Sequence, residues 1–122
     1  ADPLLADLDD DFTIFQWHSD TFTLPQGAVR LATNAVTANQ AFRIGRAAYG
    51  TQFHFEANST VVDGWRTEFK TSIERNEPGW LERYPEIAAR NAAAADKAGL
   101  TIARAWVAMI GAAETQKQAV VA

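Results

Sequence analysis

The chain has 122 residues, 48% of them hydrophobic and 21% charged, with a net charge of −4. That is enough apolar material for one small core and too much for a disordered tail, and a mild acidic excess gives no electrostatic attraction to nucleic acid or an anionic membrane. Cysteine is absent, so these residues can form no disulfide and supply no thiolate, a composition that favours a cytoplasmic setting. No apolar run reaches the length of a membrane span.

Residues 7–11, Asp-Leu-Asp-Asp-Asp, form an acidic run. It reads as a solvated loop, because adjacent aspartates without glycine or ligand spacing do not make a cation loop. Residues 12–17, Phe-Thr-Ile-Phe-Gln-Trp, are rich in strand formers and predict a strand. It runs into His18-Ser19-Asp20 and then Leu24-Pro25-Gln26-Gly27-Ala28, where Pro and Gly predict a turn. His18, beside aromatics at a strand end, reads as a structural histidine bonded to Asp20 or to a backbone group, and Asp20 as a loop organiser. Residues 29–33 and 40–44 are two further strands joined by a polar connection, with Phe42 and Ile44 on one face. Gly45-Arg46 has the pattern of a two-residue hairpin turn.

The next stretch, Ala48-Tyr49-Gly50-Thr51-Gln52-Phe53-His54-Phe55-Glu56, reads as the strand around which the rest is organised. His54 and Glu56 are two residues apart, so on a strand they share a face with Cα atoms roughly 6.6 Å apart. A carboxylate in that position can hold one ring nitrogen as a donor and leave the other to move a proton. Asn58, Ser59 or Thr60 can then cap a helix over 59–73, in which Val61, Trp65, Phe69 and Ile73 make one apolar stripe packing on the sheet. Asn76-Glu77-Pro78-Gly79 breaks the chain. Residues 80–84 predict a short turn. Pro85 starts an alanine-rich helix running to Ala98, with Gly99 just after its end, and a last helix over 100–116 buries Ile102, Trp106, Met109, Ile110 and Ala113.

Gly50-Thr51-Gln52-Phe53-His54-Phe55-Glu56 resembles the Gly-x-Gln-Phe-His-x-Glu signature of class I glutamine amidotransferases, in the branch related to the glutaminase part of GMP synthase. His18-Ser19-Asp20 resembles that family's His-Gly-Asp segment, with Ser19 replacing Gly, and residues 24–28 and 39–43 resemble the segments that follow it. The ordered match runs from about Asp2 to Glu56 and is looser beyond.

The resemblance implies an α/β fold: the C-terminal part of a three-layer glutamine amidotransferase-like domain, a mixed sheet with an antiparallel hairpin followed by C-terminal helices. Residues 1–122 would be part of one domain, with strands over about 12–56 and helices over about 59–116. It implies hydrolysis of the glutamine side-chain amide by a Cys-His-Glu triad, with His54 and Glu56 catalytic and His18, Ser19 and Asp20 shaping the L-glutamine pocket. The cysteine is missing, so this chain should be inactive alone. It would work with a nucleophile-bearing N-terminal half and an ammonia-accepting synthase domain or subunit, or self-associate through its uncovered sheet. No metal or organic cofactor is implied. Two alternatives stand beside this reading: a non-catalytic interaction or regulatory module of the same fold, and a γ-glutamyl hydrolase relative. Release of free ammonia as against its transfer to an acceptor separates the last of these.

Overall fold

The computed structural model describes residues 2–121, with side chains described to residue 112. Three strands are followed by three helices: β1 (Ala28–Ala32), β2 (Ala41–Ile44), β3 (Ala48–Thr51), α1 (Ser59–Glu68), α2 (Lys70–Asn76) and α3 (Trp80–Val121). The sheet is an antiparallel meander in the order β1-β2-β3. Ile44 pairs with Ala48, so the hairpin turn has three residues, 45–47, rather than two. Gly45 takes φ +57°, a conformation that costs glycine little. A bulge in β1 between Arg30 and Ala32 bends the edge of the sheet.

Strand formation stops earlier than the sequence predicts. Residues 12–17 join no strand among the described residues; their backbone link to the motif is the His54 N–H donating to the Phe15 carbonyl at 2.9 Å. The organising strand likewise ends at Thr51, and residues 52–56 bend away. Extended chain becomes a strand only where a neighbour completes a ladder, and β2 pairs no further than Thr51.

The helices also divide differently. The predicted helix over 59–73 is broken at Phe69 (φ −103°, ψ 20°) into α1 and α2. Two contacts favour the break. The Thr67 hydroxyl donates back to the Asp63 carbonyl, a bond that bends helices, and the Phe69 ring turns to meet Trp17 at 5.4 Å. Asn58 is the cap, its side chain accepting from the Val61 N–H at 3.0 Å. Conversely, the predicted turn and two helices beyond residue 79 are one continuous helix, α3. Pro85 does not start this helix but lies in its second turn, where it forgoes the intrahelical bond its N–H would make, and Gly99 does not end it. Of the stripe predicted for its C-terminal half, Ile102 is fully buried and Met109 packs on the core, whereas Trp106 and Ile110 are exposed. Ala113 lies outside the described side chains. No described helix is long and apolar enough to cross a membrane.

Two apolar clusters result. Leu4, Ala41, Phe53 and Ile102 lock the sheet and the N-terminal turns onto α3, with Phe12 edge-on to Phe53 at 5.8 Å. Ala57, Val62 and Tyr84 join α1 to the start of α3. In the second cluster Arg66 lies 4.1 Å over the Tyr84 ring. Burial, reinforced by the Asp63 carboxylate, raises the Tyr84 hydroxyl pKa above its usual 10.0, and burial followed by the Asp2 charge raises that of Tyr49. The folded state therefore holds these protons more tightly than the unfolded one. Their stabilising contribution is complete below about pH 10 and lost as pH rises through the folded values. Thermal melts should show Tm falling above about pH 10, and Tyr84→Phe should reduce that slope.

Candidate functional site

The site is built where β3 gives out. Phe53 is buried in the main core and Ala57 in the second cluster, which fixes both ends of a short loop. Between them His54 and Glu56 point outward together: His54 Nδ1 lies 2.7 Å from Glu56 Oε1. The sequence predicted this pairing on a strand; it forms on a bent loop. The His54 side chain is 29% exposed and that of Glu56 57%, so neither is sealed in an apolar interior.

The second ring nitrogen, Nε2, lies 3.1 Å from the Trp17 carbonyl. Both nitrogens therefore face oxygen acceptors, an arrangement that a doubly protonated ring satisfies fully. The ring is held from the side by aromatics, with Trp65 edge-to-face at 5.5 Å and Phe15 at 6.2 Å. Trp65 and Phe69 do not pack on the sheet, as the helical stripe predicted. They build an aromatic wall with Trp17, which is 5.1 Å from Trp65.

His18 bonds through Nδ1 to the Asp20 carbonyl at 2.9 Å and through Nε2 to Gln16 Oε1 at 3.1 Å. Its backbone partner is of the kind the sequence suggested, and the Asp20 contribution is its carbonyl. Ser19 has no positive φ, so it needs no glycine-like freedom. His18 and Ser19 line a cleft of about 190 Å³ together with Trp17, Trp65, Glu77 and Trp80. His54 and Glu56 do not line it; Trp17 and Trp65 stand between. The structure thus forms the His54–Glu56 pair and places His18 and Ser19 on the far side of the same aromatic wall. Asp20 belongs to neither.

Three contributors escaped the sequence reading: the Trp17 carbonyl, Asp96 and Gly99. Asp96 accepts from the Ser59 N–H at 2.7 Å and from its hydroxyl at 2.6 Å. Gly99 packs against the Phe55 carbonyl. Only Gly99 left a signal, as an isolated glycine in an alanine-rich run.

No family model matches the chain, and no curated protein sequence does. Among solved structures, a glutamine amidotransferase from Thermotoga maritima is similar, at 29% identity with a TM-score of 0.65. The match covers 85% of this chain and 43% of that one, so the chain spans less than half the length of the protein it resembles. An antiparallel three-stranded sheet followed by helices, in this order and at this level of similarity, is part of a glutamine amidotransferase-like α/β fold.

Proposed function

We propose that this chain supplies the histidine and the orienting carboxylate of a class I glutamine amidotransferase, in the branch related to the GMP synthase glutaminase. The observation that carries the reading is the 2.7 Å contact between His54 Nδ1 and Glu56 Oε1. The thiolate comes from outside these 122 residues, which contain no cysteine. It attacks the side-chain carbonyl carbon of L-glutamine, and the C–N bond breaks as His54 gives its proton to the leaving ammonia. His54 then takes a proton from water, which attacks the thioester and releases glutamate and the thiol. Glu56 holds Nδ1 and stabilises the charged ring, leaving Nε2 for the transfers. Ammonia passes to an acceptor domain or subunit.

Nε2 must be released by the Trp17 carbonyl before it can serve the thiol, so docking of the thiol-bearing part displaces that 3.1 Å bond. An open groove of about 670 Å³ between residues 10–16 and 30–35 supports such docking beside the strandless segment. His18 and Ser19 shape the substrate side from the cleft they line, and Asp20 acts there only through the carbonyl that holds His18. The test is ammonia release from L-glutamine by this chain alone and after joining to a nucleophile-bearing half. Activity should appear only in the joined form, and hydrolysis by the chain alone would overturn the account.

The Trp17–His54 bond favours a second reading, in which the ring is a structural tie in a non-catalytic module. On that reading the joined form stays inactive and His54→Ala alters only stability.

A further inference from the structure

One face of α3 grips the loop around Glu56 at two points. Asp96 and Gly99 are three residues apart and so lie on the same side of the helix. Asp96 takes both the N–H and the hydroxyl of Ser59, at 2.7 and 2.6 Å. At Gly99 an added Cβ would lie 2.5 Å from the Phe55 carbonyl oxygen, well inside contact distance and against backbone rather than a flexible side chain. Phe55 immediately precedes Glu56 and Ser59 follows it by three, with buried Ala57 between. A mid-helix glycine is less favourable than alanine, and Gly99 neither turns the chain nor ends the helix. Close approach of the loop is the physical reason for it.

We propose that Gly99 and Asp96 are positioning residues for the His54–Glu56 pair. Together they set how deeply residues 55–59 sit on α3, and so the placement of the Glu56 carboxylate beside Nδ1. The consequence for turnover rests on the function proposed above; the consequence for the geometry of the pair does not.

The experiment is long-range ¹H–¹⁵N correlation of the histidine rings in this chain, with His18 as internal control. Glu56→Gln defines the shift of the His54 Nδ1 signal when the carboxylate is lost. Gly99→Ala is expected to move that signal in the same direction, with His18 unchanged and helix content by circular dichroism retained. Asp96→Asn should do likewise and decides the matter if Gly99→Ala fails to fold. A His54 signal at its wild-type position in a folded variant of either residue overturns the proposal. A His54 signal unmoved by Glu56→Gln overturns the pair itself, which separates the two failures. In the joined, thiol-bearing form Gly99→Ala should lower kcat by about 10- to 100-fold with KM for glutamine unchanged, the usual penalty for a small misplacement. A KM effect alone would also count against it.

Discussion

His54→Ala, in the form that carries the thiol, should lower kcat for glutamine hydrolysis by about 10²- to 10⁴-fold, the range supplied by positioned acid–base groups. KM for glutamine should change little, because the ring is proposed to act on the reacting amide during the chemical step rather than to hold the rest of the substrate. Glu56→Gln should act in the same direction but less severely, since an amide can still accept from Nδ1 while losing the charge that stabilises the imidazolium. The double variant should be little worse than His54→Ala alone, because groups that act as a unit do not contribute additively. Steady-state ammonia release over a glutamine series measures all three. Half or more of wild-type activity in His54→Ala would remove the residue from the chemistry. The pair is solvated enough that its loss should leave the fold standing, so thermal melts should separate this effect from unfolding.

What the sequence disclosed was mostly what adjacent residues decide among themselves. His54 and Glu56 are two apart, and they meet whether the backbone between them is a strand or a bent loop. The three strands and the hairpin joining the last two were legible because Pro25, Gly27 and Gly45 punctuate apolar runs, whereas the pairing of the first with the second was not foreseen. Helix boundaries were less so, because the decisive partners are remote. Phe69 breaks a helix to reach Trp17, fifty-two positions away in the chain, and Gly99 looks like a terminator until Phe55 is seen against it. The strand character of residues 12–17 was overestimated for a related reason. Propensity favours extension there, but a ladder needs a neighbour, and among the described residues none pairs with it. The Trp17 carbonyl was unreadable in principle, since a backbone oxygen leaves no mark in a sequence.

The core beneath the site sets the second large effect. Phe53→Ala should destabilise the chain by about 3–5 kcal/mol, the usual range for removing a buried phenyl ring. Phe53 is 3% exposed among Leu4, Ala41 and Ile102, all 3% exposed or less, so the cavity has little room to collapse. The edge-on contact with Phe12 at 5.8 Å is lost as well, which adds about 0.5–1.5 kcal/mol of geometry-specific attraction. Small domains rarely hold more than about 5–15 kcal/mol in total, so much of the stability goes with one ring. Phe53→Leu keeps most of the volume and should cost markedly less. Urea melts followed by circular dichroism measure both, and Phe53→Ala within about 1 kcal/mol of wild type would show that this ring does not anchor the core. The result also bears on the site. Phe53 points in and His54 points out from successive residues, so the anchor that holds the core is the same one that aims the imidazole. A folded Phe53→Leu variant should therefore retain the His54–Glu56 contact, whereas Phe53→Ala should lose contact and fold together.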